Sequence, residues 1–242
     1  MANSLTDIVK VGSRTIHKKV VDNKIKYVPT NLEGTVIYYP MEEKTINLTL
    51  DHSALNTNHG TIYGAIECAG KIGKGLQFDG IDDYVDCGNV IDVTNKLSII
   101  GWVKFPLDCY GVLVSKFENG YKRWHILIDG DSYIYFTVTD TDNMGGKFYG
   151  AASLANTWVH LAMVYDGALI GNVNRVKIYV NGVQKTLSFY GPDIPSAFPV
   201  ISANVQIGRQ GIYYSKAAFD EIRIYNRALT EQEILASYQQ ES

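Results

Sequence analysis

From about Val36 onward, the chain is a succession of short runs of β-branched and aromatic residues, cut at near-regular intervals by Gly, Asn and Asp. This recurrence limits the fold more than any other feature. Such runs read as strands, and many strands separated by tight turns point to a two-sheet sandwich or a closed β architecture. They fall at 98–105, 111–116, 124–128, 133–139, 158–165, 175–180, 205–208 and 219–225. In 133–139, Ile134, Phe136 and Val138 share one side, opposite Tyr133, Tyr135, Thr137 and Thr139. In 175–180, Val176, Ile178 and Val180 oppose Arg175, Lys177 and Tyr179. Alternation of this kind belongs to a sheet with one face on a core and one toward solvent. Asn181-Gly182 then supplies the residues of a tight hairpin turn. Only the end reads as helix. Thr230 precedes Glu231-Gln232-Glu233 at capping-box spacing, and Ile234, Leu235 and Tyr238 follow at helical intervals.

Residues 1–45 differ. Six lysines and arginines between Lys10 and Lys26 face a single acid, Asp22, and are interspersed with Val, Ile and Tyr as far as Pro29. The segment reads as an extended β arm or hairpin. It is either a solvated edge or an anchor that pairs with a neighbouring subunit, because an open strand edge is a template for pairing. Residues 46–242 form the main domain in this division. A chain of 242 residues, 46% of them hydrophobic, can bury a large core in one all-β domain. The net charge of −3 argues against nonspecific nucleic-acid binding, which needs a basic stripe. Cys68, Cys87 and Cys109 make no dense disulfide framework; one pair bridged, or all three free, both fit. The N-terminus lacks the apolar region of a signal peptide, and no apolar run is long enough to span a membrane.

Six segments in order carry a family resemblance. They are 50–64; 73–85 (Gly-Lys-Gly-Leu-Gln-Phe-Asp-Gly-Ile-Asp-Asp-Tyr-Val); 97–104 (Leu-Ser-Ile-Ile-Gly-Trp-Val-Lys); 157–167 (Thr-Trp-Val-His-Leu-Ala-Met-Val-Tyr-Asp-Gly); 177–183; and 219–229 (Phe-Asp-Glu-Ile-Arg-Ile-Tyr-Asn-Arg-Ala-Leu). Together they resemble the laminin-G-like, concanavalin A-like jelly-roll family across roughly residues 46–240. The resemblance implies an all-β, two-sheet jelly-roll sandwich, here with an N-terminal β arm and a short C-terminal helix. Trp102 and Trp158, inside apolar runs, are expected in its core. The strand around Ile222 and Ile224 is expected to be half buried, with Arg223 and Tyr225 outward. Relatives of this kind often hold a structural calcium near the matching first and last strands, which implies Asp79 and Asp220 as ligands. The other reading of Asp79, Asp82 and Asp83 is a turn closed by Asx hydrogen bonds.

Enzyme signatures are poor. The spaced acids of concanavalin A-like glycosidases are absent, as are HExxH, G-x-S-x-G and a P-loop. Sugars stack on aromatic rings and hydrogen-bond to polar side chains. Trp124, Tyr133, Tyr135 and Tyr149, with Asp140, Asp142 and Asn143 between them, and Tyr213 and Tyr214 in a later loop, are therefore candidates for a glycan platform. The plainer alternative spreads these aromatics over ordinary surface. The leading expectation is a non-catalytic module that binds carbohydrate or a cell-surface glycoprotein, extracellular or on a virion surface. The alternative is a self-assembling structural protein, such as a virion or tail component, joined through the arm. A glycosidase or lyase ranks last.

Overall fold

The structure is a computed structural model. It describes residues 7–242 apart from 12–13, 22–23, 29–31, 43, 46, 92–94, 119–121, 130–131, 140–143 and 199, with side chains from residue 32 onward, outside 43–46. Two large antiparallel sheets make the body. The eight-stranded sheet runs in the order Val183–Gln184, Val176–Val180, Val159–Asp166, Lys96–Lys104, Lys216–Tyr225, Lys74–Asp79, Ile66–Ala69. Its eighth strand, Thr35–Tyr39, also pairs with Lys216–Tyr225. The ten-stranded sheet runs Ser188–Tyr190, Gly145–Tyr149, Tyr133–Thr139, Arg123–Asp129, Tyr110–Phe117, Val205–Ile207, Tyr84–Asp86, Gly60–Tyr63, Leu48–Thr49, Lys44–Thr45. Their inward side chains meet in one apolar interior. Val176, Ile178 and Val180 from one sheet and Ile134, Phe136 and Val138 from the other all lie in it, as the period-two alternation predicts. Asn181 and Gly182 adopt φ of 51° and 76°, the left-handed pair of a type I′ hairpin turn.

The boundary expected after residue 45 falls inside the sandwich. Thr35–Tyr39 is a strand of the eight-stranded sheet, and its Ile37 and Tyr39 are fully buried in the interior. Ahead of it, Asp7–Val11, Arg14–Val21 and Lys24–Val28 form a separate three-stranded antiparallel sheet, one strand more than a hairpin.

The C-terminal helix, Glu231–Glu241, begins at a complete capping box: Thr230 Oγ1 accepts the Glu233 N–H, and the Glu233 carboxylate accepts the Thr230 N–H. It covers the outer face of the eight-stranded sheet, where Ile234 and Leu229 pack on Ile100, Val164, Tyr179 and Tyr225. This cover corrects two expectations. The last strand is not half buried but wholly buried, and Arg223 is 0% exposed. Arg223 forms ion pairs with Glu221 at 2.5 Å and Glu241 at 2.6 Å. Trp102 is buried, but beneath this helix rather than between the sheets; its Nε1–H donates to Glu241 at 2.7 Å. Trp158 lies just before the strand and is only half buried. The three cysteines are all free, with Cys87 and Cys109 buried.

Candidate functional site

On the outer face of the ten-stranded sheet, Ser115, His125, Thr137 and Thr139 are buried, whereas Tyr133 and Tyr135 are partly exposed. On adjacent strands, Tyr133, Tyr135 and Tyr149 alternate away from the core and meet. Ring centroids are 5.6 Å apart for Tyr133–Tyr135 and 5.3 Å for Tyr133–Tyr149. Tyr190, from the edge strand, adds an edge contact with Tyr135 at 5.9 Å. These geometries are the tilted and T-shaped arrangements aromatic rings favour. Lys147 Nζ sits 4.3 Å above the Tyr133 ring. The Tyr135 hydroxyl donates to Asp129 at 3.2 Å, and the hydroxyls of Tyr190 and Thr137 share a 2.6 Å bond. Burial and the Asp129 charge push the Tyr135 hydroxyl up to about 12, so it stays a neutral donor. Tyr149 is 72% exposed. The result is an apolar, ring-paved surface edged with a cation, a carboxylate and hydroxyls.

A small hairpin, Arg209–Gln210 paired with Tyr213–Tyr214, crosses the middle of this face. It is fastened to Tyr110–Phe117 beneath it: Ser115 Oγ donates to the Arg209 carbonyl at 2.7 Å, and the Gly208 N–H donates to the Leu113 carbonyl at 2.9 Å. Gln210 lies over His125, whose imidazole is lowered to about 3, first by burial and then by the Arg123 charge. Beyond the hairpin, Tyr63 and Tyr84 stack with centroids 4.4 Å apart and planes 6° from parallel.

The structure therefore brings Tyr133, Tyr135 and Tyr149 together, and puts Tyr214 on the hairpin beside the second aromatic group, while Tyr213 meets Tyr110 instead. Asp140, Asp142 and Asn143 lie outside the described residues. Trp124 is a correction: it is 1% exposed and points into the interior with Ile126 and Ile128, so its ring cannot meet a ligand. Trp124 stands two and four residues before Ile126 and Ile128, so the period-two pattern of the strand already puts it on their side. Tyr190, Tyr63 and Tyr84 reach this face on strands from distant parts of the chain, and Lys147, on the strand of Tyr149, carries no aromatic ring to single it out in the sequence.

Within the described strands of this sheet the carboxylates are Asp86 and Asp129. They lie three strands apart and four residues out of register, roughly 19 Å at ~4.8 Å per strand and ~3.3 Å per residue. A glycosidase pair stands about 5 to 9.5 Å apart.

Asp79 and Asp220 do not form a joint metal site. Asp79 pairs with Lys216, so Asp220 lies four residues farther along that strand, roughly 13 Å away. The carboxylates of Asp79, Asp82 and Asp83 do cluster within 4.8 Å. Two of their oxygens close the turn: Asp79 Oδ1 accepts the Ile81 N–H and Asp83 Oδ2 accepts the Asp79 N–H. Asp220 is fully buried beside the turn at 70–73. Its Oδ2 accepts the Ile72 N–H at 2.8 Å, and among the described residues its Oδ1 has no hydrogen-bond partner of good geometry. The Glu42 carboxylate presses on the same turn, close enough that a Cβ on Gly73 would fall 2.3 Å from it. Burial and the Glu221 charge hold the Asp220 carboxyl well above the usual carboxylate range.

Two facing antiparallel sheets with an open, tyrosine-lined face define a lectin-like β sandwich. The chain belongs to the concanavalin A-like lectin/glucanases superfamily, whose profile matches residues 79–235. Among solved structures it is similar to domain 4 of AbnA, a GH43 extracellular arabinanase from Geobacillus stearothermophilus, in complex with arabinotriose. That match has 22% identity and a TM-score of 0.62, covering 85% of this chain and 98% of that one. It is also similar to the receptor binding domain of botulinum neurotoxin C/D mosaic serotype (12% identity, TM-score 0.63) and to the botulinum neurotoxin serotype G binding domain (15%, 0.63). The matched part of those toxin domains is about half their length, 51% and 50%. No curated protein matches at a significant level. Among the described residues, no helix is long and apolar enough to cross a membrane.

Proposed function

We propose that this protein is a carbohydrate-binding module that holds a glycan on the outer face of its ten-stranded sheet without turning it over. The contiguous cluster of Tyr133, Tyr135, Tyr149 and Tyr190 carries the reading. Four rings that touch one another outside the core are of little use to stability and well suited to the apolar faces of sugars. Asp129 and the tyrosine hydroxyls add the polar contacts that fix orientation, and buried Thr137 holds the Tyr190 hydroxyl in place. The wide separation of Asp86 and Asp129, the carboxylates of the described strands of this sheet, supports binding rather than hydrolysis. A domain of the same fold solved with arabinotriose supports a saccharide ligand, and its source, an extracellular enzyme, supports a role at or outside the cell surface.

A glycan-array screen tests the reading. A hit that weakens by ~2 kcal/mol or more in the Tyr133→Ala/Tyr135→Ala double variant, with unchanged melting temperature, supports it. A screen without hits, run with and without calcium, overturns it.

In the same reading a structural calcium is held by Asp220 with Glu42, not by Asp79. The support is a buried carboxylate oxygen without a partner of good geometry among the described residues, beside a second carboxylate on one turn. Such an ion would supply the missing partner and tie the 70–73 turn to the last strand. Calcium should raise the melting temperature of the wild type and leave Asp220→Asn unmoved. Equal melting of the wild type with calcium and with chelator rejects the site.

A further inference from the structure

Each half of the open face carries a cation seated on tyrosine rings. On the far side of the hairpin from Tyr133 and Tyr135, the Arg209 guanidinium lies 4.6 Å from the Tyr84 ring centroid and 5.3 Å from that of Tyr214. Its Nε donates to the Gly211 carbonyl at 3.0 Å, which fixes the plane of the group. Its two terminal amino groups make no hydrogen bond or ion pair among the described residues. On the near side, Lys147 likewise has rings beneath it and, among the described residues, no carboxylate partner. Asp86, the acid on the Tyr84 strand, is already committed to the Gly88 N–H and to Asn204.

The two cations share one row across the sheet. Tyr84 precedes Val85, which pairs with Ile207; Ile207 pairs with Val114; the neighbouring Val112 pairs with Leu127; and Leu127 pairs with Tyr135, which pairs with Lys147. Tyr84 and Tyr135 are therefore nearly level and four strands apart, roughly 19 Å. An oligosaccharide laid along this row meets rings and a positive charge at both ends.

We propose that the glycan is acidic, and that Tyr63, Tyr84, Tyr214 and Arg209 form a second subsite that takes a carboxylate-bearing sugar. Arginine's planar fork matches a carboxylate with two parallel hydrogen bonds. The Gly211 bond and the flanking rings hold that fork ready, and its free edge is the one a ligand meets. The stacked Tyr63–Tyr84 pair supplies an apolar surface beside it, with Tyr63 45% exposed. The chain's net charge of −3 repels polyanions in general. Acid recognition on this face is therefore local rather than a whole-surface effect. The inference rests on the reading of this face as a glycan-binding surface.

Calorimetric titration with a galacturonic acid tetrasaccharide, sialyllactose and neutral arabinotetraose separates the two ideas. The expected result is that an acidic probe binds about tenfold more tightly than the neutral one, an advantage reduced by 0.5 M salt. Arg209→Gln abolishes the preference, Arg209→Lys keeps part of it, and both keep the wild-type melting temperature and neutral-sugar affinity. Equal affinity for acidic and neutral probes, or a preference that survives Arg209→Gln, overturns the acidic subsite and leaves the glycan-binding reading standing. No binding of any probe overturns both. Should Arg209→Gln lower the melting temperature, the salt dependence of the wild type and the Arg209→Lys titration decide alone.

Discussion

At the residue scale, parity along a strand decides whether an aromatic or polar side chain serves the core or the ligand. Trp124 and Tyr135 illustrate the two outcomes. Trp124 faces inward, so Trp124→Ala would empty a large site and cost about 3–5 kcal/mol. Tyr135 faces outward and its loss belongs to binding. His125 faces outward too, yet Gln210 closes over it, and burial keeps its imidazole neutral at about 3. An unfolded histidine titrates near 6.5. As pH falls below that value, the unfolded chain takes up a proton that the folded chain refuses, so folding weakens by at most about 1.4 kcal/mol per pH unit. His160, lowered to about 4 chiefly by burial, acts in the same direction. Urea unfolding at pH 7 and pH 5 should show lower stability at pH 5, and His125→Gln should lose less of it, by ~1–2 kcal/mol. Equal losses in variant and wild type would remove His125 from the account.

At the scale of elements, the C-terminal helix is an electrostatic cover as much as an apolar one. Its Glu241 meets both Arg223 and Trp102, and Tyr38 donates to the Glu221 that flanks Arg223 at 2.7 Å. Removing one partner of a buried ion pair strands the other charge. Glu241→Ala should therefore cost about 3 kcal/mol, read by urea unfolding, whereas loss of an exposed pair such as Lys74–Glu67 should cost under about 1 kcal/mol. The helix itself was legible: Thr230 and Glu233 announce its start. Its consequences were not. Arg223 reads as an outward, solvated residue by alternation alone, because nothing local says that a helix starting eight residues later will fold back over it. Trp102 was misplaced for the same reason. Strand positions and inward residues follow from period-two patterns. Which outward face stays open depends on contacts distant in sequence, and so the Tyr190 and Arg209 contributions were invisible.

At the scale of the whole molecule, the sandwich starts with Thr35–Tyr39, while the three strands between Asp7 and Val28 form ladders only with one another among the described residues, and the last of them, Lys24–Val28, runs beside the C-terminal helix. Deleting residues 1–30 should leave the melting temperature of the body within a few degrees. Deleting residues 1–45 removes Ile37 and Tyr39 from the interior and should unfold it. Light scattering of the shorter deletion also tests whether the arm joins copies of the chain. The same monomeric mass with and without residues 1–30 rejects that idea, and a drop from a larger particle supports it. The two-sheet body and the order of its segments could be read from the sequence, since each segment carries its own turn residues. The extent of the N-terminal unit could not, because Thr35–Tyr39 finds its partner almost 190 residues downstream.

The hairpin that straddles the open sheet works as a ridge between two shallow basins. On the proposed reading, a short saccharide settles on one side only, and a chain long enough to reach over the ridge engages both at once, the second contact at the high local concentration set by the first. Avidity should then climb in a step with the number of sugar units, so that the module senses polymer length as well as sugar identity.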